Sequence, residues 1–324
     1  MQPSSAYPAT PPARSNWIRE RREPVSRPTE NTIPDVLVEE ELGPDGHLLN
    51  TGIIFLINRE CPWNCVMCDL WKNTTLTPLP PGHAPSQIQV ALGRINANSN
   101  SNIQQIKIYN SGSFFDTRAI YPEDYTAIAS SVSKFERVIV ENHPKLIGGR
   151  VAKFNELLKP HLEIAMGLEA ADDGILQKLN KRFTLDDYAK ACDFMNVEGI
   201  DHRAFIMVQP PFSDPDQAVE LCTLTVQFAF EQNASSVTLI PTRSTTGAMK
   251  SLTSMGVFTQ PSLATLETCF EQALLQSNKR VFVDLWDLEK FQSCDECFDS
   301  RKRRLLQMNQ LQRILVKPHC LKCH

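Results

Sequence analysis

The order of apolar and polar positions divides the chain into three textures. Residues 1 to about 48 open with MQPSSAYPATPPARS, hold eight of the 22 prolines and continue into the mixed-charge stretch VLVEEELGPDGH. Little of this can bury apolar surface, so residues 1–48 are expected to form a flexible arm that becomes ordered only near Asp35. From Thr51 short β-branched runs alternate with amphipathic segments: TGIIFLIN (51–58), IQQIKIYN (103–110), RVIVEN (137–142), LEIAMGLEA (162–170), HRAFIMVQ (202–209), SVTLIP (236–241) and RVFVDLW (280–286). Each run is short, apolar and fenced by polar or turn residues, which is how buried parallel strands read. Helical patterns separate them, as in SQIQVALGRINA, TLDDYAKACDFMN and DPDQAVELCTLTVQFAF. Thr184 and Ser213 stand at N-cap positions, with Asp187 and Asp216 three residues on. This alternation predicts an α/β fold, a partial (β/α)6-type TIM barrel over residues 49–290. Residues 291–324 change texture again, with four cysteines and the run RKRR; so small a segment is expected to be organised by a metal.

Composition narrows the classes. With 42% hydrophobic and 22% charged residues among 324, the chain is globular, and its net charge of −4 gives no push towards nucleic acid. No apolar run approaches the roughly 18 residues of a membrane span, and the N-terminus lacks the apolar stretch of a secretory signal, so a cytoplasmic protein without membrane contact is expected. Ten cysteines in a reducing compartment point to metal ligation or catalysis rather than to disulfides. Cys192, Cys222 and Cys269 fall inside amphipathic helical patterns and are expected to be buried core residues.

The remaining cysteines are clustered. IIFLINRECPWNCVMCDLW puts Cys61, Cys65 and Cys68 directly after the first predicted strand, at the carboxyl end of a β/α unit where such folds carry their chemistry. Three thiolates in C-x3-C-x2-C can hold three corners of an iron-sulfur cube and leave one iron open. The other reading is a zinc knuckle completed by a remote histidine, although zinc loops favour C-x2-C pairs. Such pairs occur at the far end: Cys294 with Cys297, and Cys320 with Cys323, are four thiols suited to zinc or to an auxiliary iron-sulfur cluster. Between them, Arg301, Lys302, Arg303, Arg304, Arg313 and Lys317 occur with no acid after Asp299, which reads either as a solvated helix or as a contact for RNA phosphates.

C-x3-C-x2-C after strand one of a β/α barrel is the signature of the radical S-adenosylmethionine superfamily, which this chain resembles. The resemblance implies a [4Fe-4S] cluster on Cys61, Cys65 and Cys68, S-adenosyl-L-methionine chelated at the open iron, reductive cleavage to a 5'-deoxyadenosyl radical, and an electron donor of flavodoxin or ferredoxin type. Met67 departs from the aromatic residue common before the third cysteine. YNSGSFFD matches the loop that meets the amino group of the cofactor, making Asn110, Ser111, Gly112 and Ser113 candidate contacts, and Glu141 in VENHP is a candidate acceptor for ribose hydroxyls or the ammonium group. GLEAADDGILQKLNKRFT resembles the stretch shared by the Elongator catalytic subunit and the methylthiotransferases, which nominates Glu169 and one of Lys181 and Arg182. Gln209 and Arg243, at the ends of later strands, are further candidates for the cavity. Over residues 50–324 the motifs look like those of the archaeosine synthase radical S-adenosylmethionine subunit family, which implies modification of a tRNA or other RNA nucleoside. The competing hypothesis is a noncatalytic zinc- and RNA-binding protein.

Overall fold

The computed structural model describes residues 6–98 and 102–322. Its centre is one sheet of eight strands in chain order: β1 (Asp35–Leu42), β2 (Leu48–Phe55), β3 (Gln105–Tyr109), β4 (Arg137–Glu141), β5 (His161–Glu169), β6 (Asp201–Val208), β7 (Ser236–Pro241) and β8 (Arg280–Val283). β2 to β8 run parallel, matching the seven predicted runs, and the curled sheet is a partial TIM-type barrel. Helices α1 (Pro11–Glu20), α2 (His83–Asn98), α3 (Tyr125–Ser131), α4 (Gly149–Leu157), α5 (Asp173–Lys178), α6 (Leu185–Val197), α7 (Ala218–Glu231), α8 (Gly247–Ser254), α9 (Leu263–Gln276) and α10 (Asp295–Leu311) surround it. Thr184 opens α6 with the predicted capping box, its hydroxyl accepting from Asp187 N while Asp187 accepts from Thr184 N. Ser213 does not cap: Asp214 accepts from Asp216 N at a short turn before α7, and Ser213 Oγ donates to Pro210 O.

The strands carry two different faces. Ile54, Ile106, Ile108, Val140, Ile164 and Ile206 point outward into the helix layer and are fully buried. Removing such side chains from water is the main stabilising term of the fold. Phe55, Lys107, Tyr109, Arg203, Phe205 and Phe282 line the lumen instead. At the amino end the lumen is closed by a buried ion network: Arg203 bridges Glu41 (2.8 Å) and Glu163 (2.5 Å), Lys107 bridges Glu41 (2.5 Å) and Glu39 (2.7 Å), and Arg137 reaches Glu163 (3.0 Å). Arg203 and Glu41 hold each other ionised against the cost of burial. With this floor filled, the lumen opens at the carboxyl end.

Two elements depart from the sequence reading. β1 is an antiparallel edge strand within the expected arm, paired from Asp35 with Phe55 to Leu42 with Leu48. Its glutamates resemble a solvated run, yet Glu39 and Glu41 are consumed by Lys107 and Arg203 across the lumen. The arm also holds α1, whose two prolines occupy the first turn where their missing N–H groups cost nothing, and whose Trp17 and Ile18 are buried. The open margin of the sheet at β8 is covered by α10. Asn309 exchanges hydrogen bonds with Val283 N and O (2.9 and 3.0 Å), and Gln312 does so with Val281 N and O (2.7 and 2.8 Å). Cys192, Cys222 and Cys269 are buried in the helix layer as expected. No helix among the described residues is long and apolar enough to cross a membrane.

Candidate functional site

Beyond Phe55 the chain leaves the sheet and turns through Cys61, Cys65 and Cys68, all half-buried. The turn is anchored from several sides. Val66 N donates to Leu179 O (3.0 Å), Arg22 and Arg27 pair with Glu60 (2.6 and 2.8 Å), and both guanidinium groups lie over the Trp71 ring. Trp63 stacks on His143 at 4.1 Å. Burial pushes all three thiols up, that of Cys68 to about 12, and the neighbouring Cys65 adds to the rise at Cys61 and at Cys68. Lys181 is the cation that opposes this rise at each of them. Soft thiols gathered with a fixed positive charge suit a metal centre, which takes thiolates and releases their protons on binding.

Three neighbouring loops converge here. Ser111 and Asn64, non-glycine residues in the left-handed region at φ 52° and 53°, mark tight turns held by their surroundings. Glu141 Oε1 accepts from Asn110 N (2.6 Å) and Gly112 N (3.2 Å), so this carboxylate shapes the Asn110–Gly112 turn; burial pushes it up to about 7 against those bonds. Gly112 lies against Cys61, since a Cβ there would stand 3.4 Å from Cys61 Cβ. Ser113 Oγ accepts from His143 N (3.1 Å), and Asn110 Oδ1 is buried with no hydrogen-bond partner among the described residues. That orphaned acceptor is the kind of atom a bound ligand satisfies. His143 Nε2 lies 2.8 Å from Lys181 O and its Nδ1 accepts from Lys145 N, which makes Nε2 the protonated nitrogen; burial holds the ring neutral by lowering it to about 3.

At the end of β5, Glu169 pairs with Lys181 at 2.8 Å, both buried. Gly167 makes room for them, because a Cβ at that position would overlap Glu169 Oε1 and stand 2.8 Å from Lys181 Nζ. Glu169 and Lys181 therefore belong to the mouth. Arg182 donates to Asn180 Oδ1, Pro11 O and Ser15 Oγ, which ties it to α1, and its charge also opposes the rise at Cys65. The alternation of side chains past a residue at φ 63° sends the two neighbours Lys181 and Arg182 opposite ways, which the motif alone does not tell. Gln209 is bonded to Thr259 O and Oγ1, and Arg243 to Asp284 and Trp286 O. His143 and Asn180 were missed as site residues by sequence reasoning; only the position of VENHP at a strand end pointed towards the first.

The lumen beneath these loops is a cavity of about 1090 Å³, reaching from Ser111 and Asp69 at the rim down to Lys107 and Arg203. Its wall is aromatic, with Phe55 edge-on to Trp286 and Tyr109 edge-on to Phe205. Volume and lining suit a drug-sized organic substrate.

A second group of thiols lies apart. The sulfurs of Cys294, Cys297 and Cys320 all fall within 4.8 Å of one another, with Cys294 and Cys320 at 3.7 Å. Tetrahedral thiolates about 2.3 Å from one zinc stand roughly 3.8 Å apart, so these three fit a single ion. Cys323 lies outside the described residues. Among the described residues Cys61, Cys65 and Cys68 do not form so tight a group. Half of the basic residues beside the second site are spent within the protein: Arg301 pairs with Glu267 (2.8 Å), and Arg304 (2.7 Å) and Lys317 (3.2 Å) with Glu271, both acids lying on α9.

The chain is similar to archaeosine synthase subunit beta of Methanosarcina acetivorans, 31% identical over 121 residues that cover 36% of this chain and 35% of that protein. It thus spans about a third of the length of the curated relatives it matches. Among solved structures it resembles the archaeal Elp3 of Methanocaldococcus infernus with its N-terminus deleted (TM-score 0.50, 13% identity, 62% of this chain and 52% of that one). It also resembles methylornithine synthase (TM-score 0.50, 11% identity, 82% and 74%). The fold is that shared by these two solved structures. No protein-family model matches the chain. The Cys61–Cys68 turn is the loop that follows β2, the first of the parallel strands.

Proposed function

We propose that the protein is a radical S-adenosylmethionine enzyme whose [4Fe-4S] cluster is held by Cys61, Cys65 and Cys68. The observation that carries this is the trio itself: three half-buried thiols in the one turn that follows the first parallel strand, beside the buried cation Lys181. A cluster so held would supply one electron to S-adenosylmethionine, whose sulfonium S–C5' bond would break to give methionine and a 5'-deoxyadenosyl radical. The chain's residues have the remaining tasks. Asn110 Oδ1 offers an acceptor to the amino group of the ligand, Ser111 and Gly112 form the backbone against it, and Glu141 fixes that turn. Lys181, balanced by Glu169, keeps the site's negative charge in check, and Trp63, packed on His143, excludes water from one flank. Substrate enters the aromatic lumen.

Within this reading the substrate is an RNA nucleoside, tRNA first, supported by the 121-residue likeness to proteins named archaeosine synthase subunit beta. The word subunit in those names supports a partner chain, and the electron donor is a small electron-carrier protein of flavodoxin or ferredoxin type. The C-terminal thiols hold zinc, on the strength of the 3.7 Å sulfur separation. The test is anaerobic reconstitution with iron and sulfide followed by S-adenosylmethionine and dithionite. A brown protein with about four irons at the first site that releases 5'-deoxyadenosine, and a colourless Cys65→Ala variant that does not, are expected. A wild type that binds zinc alone and leaves S-adenosylmethionine intact refutes the reading in favour of a zinc protein.

A further inference from the structure

Asn180 lies on no strand and no helix, is fully buried, and adopts φ 63°. Its side-chain amide points at the cysteine turn. Nδ2 lies 3.1 Å from Trp63 O, 2.9 Å from Asn64 O and 3.2 Å from Ser15 Oγ, so two N–H groups are shared among three acceptors. Oδ1 accepts from Arg182 Nε at 2.9 Å, and the main-chain oxygen stands 4.0 Å from Cys65 Sγ. The two carbonyls it binds belong to the residues between Cys61 and Cys65, the longer gap of the motif. Asn64, at φ 53°, is braced again from outside by Arg22, which donates to Asn64 Oδ1 at 3.1 Å. The N-terminal segment thereby reaches the turn through Arg22 and Arg27 directly and through Ser15 by way of Asn180.

We propose that Asn180 is a positioning residue for the cysteine turn, holding the carbonyls of Trp63 and Asn64 so that Cys61 and Cys65 keep their spacing, and tying that spacing to the N-terminal segment. The inference rests on the cluster reading above for its purpose, though not for its geometry. A buried amide engaged by both oxygen and nitrogen admits no neutral replacement of the same shape, and taking away its donors leaves two carbonyls unsatisfied. An asparagine is also among the few residues that hold a left-handed conformation readily. The arrangement therefore needs this residue type for two separate reasons.

The test separates them. Asn180→Asp keeps the size, the left-handed tolerance and the acceptor for Arg182 while replacing both donors by an oxygen. Asn180→Gly keeps the backbone freedom and removes the amide. In metal-free full-length protein, peptide-resolved alkylation of Cys61 and Cys65 by iodoacetamide is expected to run about tenfold faster in either variant, the scale of one or two lost net hydrogen bonds. Cys294 serves as the internal control and is expected to react at the wild-type rate. After anaerobic reconstitution, loss of iron to a chelator is expected to accelerate about tenfold, and the electron paramagnetic resonance spectrum of the reduced centre to broaden. Unchanged alkylation of Cys61 and Cys65 in both variants overturns the proposal whether or not iron binds. Faster alkylation in a protein whose wild type takes no cluster sustains the positioning role and refutes the cluster reading instead. Should Asn180→Asp fail to fold, Asn180→Gly carries the same two outcomes.

Discussion

Replacing Lys181 by methionine tests the electrostatic account of the mouth. Methionine preserves length and apolar bulk and removes the charge, leaving the Glu169 side chain buried with its 2.8 Å partner gone. Stripping one partner from a buried pair costs about 3–5 kcal/mol, because the remaining charge keeps its desolvation penalty. An unfolding entropy of about 2.1 cal/mol/K per residue, carried over the whole chain, converts that into a fall of roughly 4–7 °C in Tm. Glu169→Gln alone strands the ammonium group, whose charge the carboxylate now supports, at a similar cost. The double variant Lys181→Met with Glu169→Gln leaves no unpaired charge and is expected to recover most of the loss, giving a coupling of about 2 kcal/mol or more in a double-mutant cycle. Calorimetry on metal-free protein under reducing conditions measures all four forms without involving any cluster. Single variants that lose less than about 1 kcal/mol, or a double variant whose loss is the plain sum of the singles, refute the buried-pair reasoning.

Glu141, with its carboxyl raised to about 7, favours the protonated form in the folded state, so its contribution to stability is complete below the ordinary carboxylate range and falls away as pH rises through about 7. Glu141→Gln keeps an acceptor for Asn110 N and Gly112 N and is expected to flatten the decline of Tm between pH 5 and 8; an unchanged slope refutes the assignment. Cys294→Ser is expected to remove one zinc equivalent by elemental analysis and leave iron at the first site unaltered; joint loss of both refutes their separation. Arg304→Gln, by breaking a bond to Glu271 and two to Leu315 O, is expected to lower stability by about 3 kcal/mol or more, whereas Arg303→Gln stays within about 0.5 kcal/mol. Equal effects of the two on chemical unfolding refute the internal role given to Arg304.

The seven parallel strands were legible because each is apolar in sequence and bounded by turn residues, and the first cysteine triplet because its spacing and its place after a strand coincide. β1 was hidden because Glu39, Glu40 and Glu41 read as solvated while two of them answer cations on distant strands. α1 was hidden by proline content, although Pro11 and Pro12 sit where a helix begins. The basic run of α10 read as unpaired because Glu267 and Glu271 lie a full helix earlier in the chain. Glu141 was singled out as an acceptor for ligand atoms, and its visible partners are backbone amides, which no sequence names. Such partnerships between separate segments leave no periodic trace, and local patterns cannot report them.

The two carboxamides that α10 presents to β8 carry an implication for self-association. A terminal strand with free peptide groups would accept an extended segment from another copy. Here Asn309 and Gln312 already occupy Val283 and Val281 in both directions, so an incoming strand would first have to displace a 17-residue helix. Growth of the sheet into a continuous intermolecular ribbon is thereby blocked along that side, and any assembly this protein enters must use surfaces other than its last strand.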